Sequence, residues 1–369
     1  MVRLTRGQQQ ERTRAAVLDA ARREFAEGGY RDTTVDRIAE RAGLTRGAVY
    51  SNFPGKRALY LAVLLDSIDD RLAAPAVALH GPGDVAAAFA ADRLGRLPLA
   101  ADTAAGAGLR LRALTGVFDD EPGRTVLAQF AAVEALLLGL ALEWREPWPV
   151  GPRRVRLAEL VLTLLAGADE RAASAPGAGD PFDVVRACRH LADLDATDDR
   201  ADDRADGWAD GWDPPHLPFV AAARSVREPW SPPSGLFDLL GRGPVDLGAD
   251  GVLVALGVGR LSAIEEAVRA IPPGRRLTVV VLTADPAELG RLVRLRIGDL
   301  AASLSRVLGE APPAPWLVLD EDAGVAAALG VPAADDTEAA VRIDGGALVA
   351  RADGRGAGHA VAVAAGERS

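Results

Sequence analysis

Sulfur and lysine are nearly missing from this chain. Its 369 residues hold one cysteine, Cys188, one methionine and one lysine, Lys56. A single thiol excludes an intrachain disulfide and any cysteine-built metal cage. The four histidines, His80, His190, His216 and His359, are scattered without ligand spacing. No metal and no cofactor are therefore expected. The opening segment MVRLTRGQQQERTR has no apolar signal core. The longest apolar stretch, near 131–142, is interrupted by Glu134 and reads as too short to span a bilayer. The expectation is a soluble, cytoplasmic protein with no membrane partner.

What is present is apolar bulk and an uneven charge. At 49% hydrophobic the chain can bury a sizeable core, and its length suits two or three domains. The net charge of −10 argues at first against nucleic acid, but its distribution reverses that reading. Residues 1–60 carry twelve Lys/Arg against seven Asp/Glu, a balance of +5; the remainder carries thirty against forty-five, or −15. A basic head on an acidic body lets only one end approach phosphate.

Periodicity divides the chain. Residues 11–28 read as a helix with Ala15, Leu18, Ala21 and Phe25 on one face, ended by Gly28-Gly29. Thr33 is expected to cap a second helix to about Ala42, with Asp36 in the capping-box position. Gly43 breaks the chain, Thr45 caps a short third helix, and Pro54-Gly55 precedes a fourth from Lys56 to about Ala73. Further helices are expected at 84–97, 105–118, 121–146, 153–173 and 181–194, with Pro and Gly between them. The run DATDDRADDRADGWADGWDPP is Asp-rich and almost free of aliphatics, so it reads as a solvated linker that would let the next unit move. Beyond it, apolar runs at 251–258, 277–283 and 316–319 look like buried strands, with helical stretches at 262–271 and 286–308. Ser262 with Glu265 and Asp285-Pro286 read as helix starts. Asp344-Gly345-Gly346 reads as a hairpin turn.

The expected fold is thus multidomain: an all-α part, then an α/β domain. The domains are 1–56, a helix-turn-helix; 57–195, a helical body; 196–216, an acidic linker; and 217–369, the α/β unit. In the head, Ala39 belongs at the contact of two helices, Gly43 at a turn of positive φ, and Leu44, Val49 and Phe53 in the core. Thr45, Arg46, Gly47, Tyr50 and Ser51 are left facing outward, where a major groove would lie. Arg46 can read guanine or grip phosphate, and Thr45 and Tyr50 can hydrogen-bond phosphate. Lys56 at a helix start suits a phosphate too.

The segment TTVDRIAERAGLTRGAVYSNFPGKRALYLAVL resembles the signature of the TetR family of regulators, including its Tyr, Phe and Lys spacing. The resemblance covers about 12–70. It implies DNA contacts at Thr34, Thr45, Arg46, Gly47, Tyr50, Ser51 and Lys56. Position 51, often His in that family, is Ser here. RLAELVLTLLAGADERAA and DPFDVVRACRHLADL look like the last two helices of such regulators. The resemblance implies that these pair with their copies in a homodimer, with Leu157, Leu160, Leu164, Phe182, Val185 and Leu191 as the interface. It also implies a pocket for a small effector. Phe89, Leu111, Leu114, Phe118, Phe130, Leu137 and Trp144 are candidate lining, and their chemistry makes an apolar effector the default.

In the last third, PWLVLDEDAGVAAALGV and AVRIDGGALVARADG resemble the later half of peroxiredoxin-like chains, which implies a thioredoxin-like fold. No cysteine lies beyond 188, so thiol chemistry is not expected there. Gly257-Val258-Gly259 after a strand leaves open a dinucleotide loop, although Ser262 stands where a third glycine belongs and a lone GxG is weak. The leading reading is a ligand-responsive, homodimeric repressor bound to a near-palindromic DNA operator, not an enzyme, with a redox-inactive accessory domain that could bind a protein partner. The alternative is a bifunctional regulator whose α/β domain is an enzyme or a nucleotide-binding module.

Overall fold

The computed structural model describes residues 5–68, 79–98, 102–145, 153–194, 214–309 and 314–366. The expected acidic linker lies almost wholly outside the described residues, as do Trp208 and Trp212. Helix α1 (Arg6–Asp32) starts at a capping box, with Gln8 N–H donating to Thr5 Oγ1 and Thr5 N–H to Gln8 Oε1. It runs further than 11–28, because Gly29 at φ 68° kinks the chain without ending it. Helices α2 (Val35–Ala42), α3 (Arg46–Tyr50) and α4 (Lys56–Leu65) follow. Then come α5 (Pro82–Leu94), α6 (Ala104–Arg110), α7 (Glu121–Leu142), α8 (Val155–Ser174) and α9 (Pro181–Asp193).

By length and composition α7 could cross a membrane, which the stretch 131–142 alone could not. Here it is a core helix, packed among α8, α5 and the C-terminal half, with Phe130, Val133, Leu136, Leu137 and Leu138 buried.

The C-terminal half is a mixed six-stranded sheet flanked by helices. Its strands are β1 (Arg224–Pro229), β2 (Gly251–Gly257), β3 (Leu277–Leu282), β4 (Trp316–Leu319), β5 (Glu338–Asp344) and β6 (Ala347–Asp353). The order is β1-β6-β5-β2-β3-β4. Strands β2, β3 and β4 are parallel, while β5 runs antiparallel beside β2 and pairs β6 through the Gly345-Gly346 turn. Helices α10 (Ile264–Ala270), α11 (Arg291–Leu308), α12 (Gly324–Leu329) and α13 (Ala357–Gly366) complete it. β2 and β3 are buried on both faces, which explains their unbroken apolar runs. Asp285 caps the turn before α11, its carboxylate accepting from Glu288 N–H at 3.0 Å. Ser262, expected to begin a helix, sits instead in a 3₁₀ turn ahead of α10.

The two halves do not stand apart. α11 lies along α4, α5 and α7, and apolar residues of both halves form one continuous core. Charged pairs cross the contact. Asp299 accepts from Arg96 at 2.5 Å, Arg112 at 2.7 Å and Arg93 at 3.4 Å. Arg306 pairs Asp92, Arg296 pairs Glu134, and Arg269 pairs Glu143. The expectation of a unit free to move on a hydrated tether is therefore corrected. Periodicity locates α11 but cannot say that its Arg296, Asp299, Ser303 and Arg306 row answers another part of the chain.

Gly257 and Gly259 also find their reason here. A Cβ on Gly257 would fall 2.3 Å from the Asp335 carbonyl, and one on Gly259 would fall 2.8 Å from it. Their N–H groups donate to Thr337 O and Asp335 O, each at 2.8 Å. The glycines admit a neighbouring backbone, and their amides are not free for a phosphate.

Candidate nucleic-acid interface

The head is α1 to α4. Val17, Ala21, Phe25, Ile38, Val49 and Phe53 fill its core, where each large apolar side chain contributes about 1.5–3 kcal/mol. Gly43, at φ 66°, makes the left-handed turn between α2 and α3, as its position predicts. Ala39 is buried between these helices and Leu44 packs at the edge of the core. Buried Glu24 of α1 pairs with Arg41 at 2.6 Å and Arg37 at 3.1 Å of α2, so their relative angle is fixed by charge as well as packing.

Thr34, not Thr33, caps α2: its Oγ1 accepts from Arg37 N–H. Thr33 is buried and donates to the carbonyls of Glu24 and Gly29. Two adjacent threonines are equivalent by pattern; only the kink at Gly29 places one of them inside. Thr45 caps α3, accepting from Ala48 N–H at 3.2 Å.

The outward face of α3 is polar. Arg46 is exposed, pairs Asp36 at 3.3 Å, and donates to Tyr50 Oη at 3.3 Å with its guanidinium over that ring. Tyr50 is 40% exposed. Ser51 donates to Ala48 O, and a side chain at Gly47 would meet almost nothing. Thr34, Thr45, Arg46, Gly47, Tyr50 and Ser51 are all exposed. Lys56 is not free beside them. Its ammonium donates to the carbonyls of Tyr30 at 2.8 Å, Thr33 at 3.0 Å and Arg31 at 3.3 Å, and lies over the Tyr30 ring. An ammonium has three protons, and all are engaged on the end of α1. Burial lowers its pKa below the usual lysine range. The expected phosphate contact is corrected to a staple.

The head is also touched by the C-terminal half, which sequence reasoning missed. Arg57, next to Lys56, donates to Glu288 at 2.6 Å and Asp120 at 3.0 Å. The guanidinium of Arg291 lies over Phe53.

The other candidates are divided by the structure. Leu160 and Phe182 are 49% and 76% exposed, Leu164, Val185 and Leu191 are half-buried, and Leu157 is buried within its own subunit. Leu157 is therefore corrected from interface to core: it is 4% exposed, although it lies only one turn before exposed Leu160. Phe89, Phe118, Phe130 and Leu137 are fully buried core, Leu114 and Trp144 pack at its margin, and Leu111 is half-buried.

Residues 17–63 match the model of a family described as bacterial regulatory proteins, tetR family. Over 70 residues the chain is 49% identical to the HTH-type transcriptional regulator TtgR of Pseudomonas putida, covering 19% of this chain and 32% of that one. Over 51 residues it is 45% identical to the HTH-type transcriptional repressor AcnR of Corynebacterium efficiens, covering 14% and 27%. The chain spans about a third of the length of the curated relatives it matches. Among solved structures, NalD, the secondary repressor of the MexAB-OprM multidrug efflux pump in Pseudomonas aeruginosa, aligns over 49% of this chain and 95% of its own. The identity is 20% and the TM-score 0.33, a likeness too slight to build on. Residues 17–63 are a TetR-type helix-turn-helix.

Proposed function

We propose that the protein is a sequence-specific DNA-binding transcription regulator, a cytoplasmic repressor acting as a homodimer on a near-palindromic operator. The observation that carries this reading is the exposed polar face of α3 in a head that matches a regulator family. A helix presenting Arg46, Tyr50 and Thr45 around a bare Gly47 fits the major groove closely. Two heads on one duplex need a two-fold axis. Leu160 of α8 and Phe182 of α9 support one there, because nothing among the described residues covers them. The apolar body suits a small apolar effector.

The C-terminal half is read as a thioredoxin-like accessory domain. The run β2-α10-β3 beside the antiparallel β5-β6 pair and α13 supports that fold. With no cysteine beyond 188, thiol exchange has no nucleophile there. Selection of bound DNA from random oligonucleotides tests the central claim. The expected result is a near-palindrome with half-sites about one helical turn apart. Recovery of unenriched sequence would overturn it.

A further inference from the structure

Where the 3₁₀ turn ahead of α10 meets α7, a cavity of about 300 Å³ opens at the contact between the two halves. It lies beyond the carboxyl end of β2, the end at which open α/β sheets place their ligands, and a contact between domains is a common place for a pocket. Its lining includes apolar Ala132 and Leu136 of α7, Leu261, Ala263 and Pro214. It also includes His216, Arg260, Ser262, Glu265, Glu266 and Arg355.

The charges among these polar residues do not all cancel. Glu265 is taken by Arg153 at 2.6 Å and Arg269 at 3.4 Å. Glu338, outside the lining, takes both Arg260 Nε and Nη2, at 3.1 and 2.7 Å, and the Gly356 N–H at 2.6 Å. Glu266 is left over. Its side chain is 8% exposed, its one ion-pair partner among the described residues is His216 at 3.2 Å, a cation only when protonated, and its Oε2 has no hydrogen-bond partner. Neither ring nitrogen of His216 makes a well-formed hydrogen bond. Burial raises the Glu266 carboxyl above the usual range, with His216 acting in the opposite direction. A buried carboxylate short of donors is costly, and native proteins seldom leave one so without a use for it. Arg355, also in the lining, is exposed and without an ion-pair partner among the described residues, and Ser262 of the lining is exposed as well.

A buried acid with an unpartnered oxygen, an arginine with no ion pair among the described residues, and apolar side chains in one cavity suit a ligand that carries both charges. We propose that this cavity binds a small zwitterion of the α-amino-acid class. Its ammonium seats on Glu266, its carboxylate on Arg355 and Ser262, and an aliphatic side chain lies on Leu136 and Leu261. Such a ligand touches both α7 and α10, so it ties the C-terminal half to the body. The site goes beyond the regulator reading, and its test contains no DNA, so the two can fail separately.

The probes are L-leucine, N-acetyl-L-leucine, which lacks the ammonium, and isoamylamine, which lacks the carboxylate. Each is titrated calorimetrically into the full chain. L-leucine is expected to bind once per chain, and each truncated probe about tenfold more weakly or worse. Glu266→Gln removes the anion and should weaken L-leucine by about tenfold while leaving N-acetyl-L-leucine unchanged. Ala132→Trp fills the cavity from α7 and should abolish binding, which keeps the test decisive should Glu266→Gln fold poorly. No heat from L-leucine at about 10 mM, above the weakest affinities of interest, would overturn the site. So would equal binding of N-acetyl-L-leucine, or binding that survives Ala132→Trp.

Discussion

Arg46 and Lys56 are both cations of the head, and the sequence gives them the same role, yet their surroundings give them different ones. Arg46 is exposed on α3, held only by Asp36 and Tyr50. Lys56 has its protons on three carbonyls at the end of α1. On the operator found by selection, Arg46→Ala should reduce the slope of log affinity against log salt by about one, the signature of a lost phosphate contact, or change base preference by about 1–3 kcal/mol where it reads a base. Lys56→Ala should leave the slope as it was and destabilise the head by about 1–3 kcal/mol, seen in thermal unfolding. A salt slope reduced equally by both changes would return Lys56 to the phosphates. Cys188 poses a simpler question. It is fully buried on α9, and burial pushes its thiol up to about 11. The reactive thiolate is therefore scarce at neutral pH. An aromatic disulfide reagent should titrate no thiol in the native protein and one after denaturation; rapid native reaction would show Cys188 to be accessible and reactive.

At the scale of elements, α8 and α9 sort their apolar residues between two tasks. Leu157 and Leu165 pack inward, whereas Leu160 and Phe182 face out. Phe182→Asp should leave the subunit folded, since the side chain is 76% exposed there, but it places an unpaired charge in the proposed interface and should dissociate the dimer. Leu157→Asp should unfold the subunit instead. Light scattering on the unmodified protein should give a dimer at micromolar concentration, and a monomer would remove the two-fold reading.

The same elements show what a sequence can say. Gly43, the Asp285-Pro286 start and the Gly345-Gly346 hairpin were legible because each follows from a local constraint on φ or on capping. Most helix ends lie within a few residues of expectation for the same reason. β1 was missed because it is an edge strand exposed along nearly all its length, and RSVREP shows no alternation to read. On α3 the exposed face was legible because Val49 and Phe53 fix which side is inward. Lys56 was not, since its partners lie on α1, twenty-three to twenty-six residues earlier.

For the whole molecule the question is whether two halves behave as one. The pattern of the chain reads as two domains on a tether; were that so, a chain ending near 195 should fold and bind DNA alone. The structure gives a shared core and ion pairs across it, with Asp299 at the centre of three arginines and Glu288 on the first turn of α4. Removing the C-terminal half would uncover the sides of α4, α5 and α7 that α11 covers, so such a truncated chain should be unstable or aggregate. A gentler change separates the causes. Asp299→Asn preserves shape but removes the anion that Arg93, Arg96 and Arg112 share, leaving Arg93 to Asp169 and Arg96 to Asp92, each at 3.7 Å. Breaking one side of a buried charge group costs about 3–5 kcal/mol. Asp299 is held below the usual carboxylate range because these arginines outweigh its burial. Its contribution is therefore present above the ordinary carboxylate pKa and is lost as pH falls through the depressed one. In urea, hydrogen exchange on α7 and on β2 should report one coincident transition for the unmodified protein, as expected of a single cooperative unit. In Asp299→Asn the two should move to lower urea together or come apart, with the loss shrinking in acid. Separate transitions in the unmodified protein would restore the tethered arrangement, and with it a C-terminal half that touches the head without governing it.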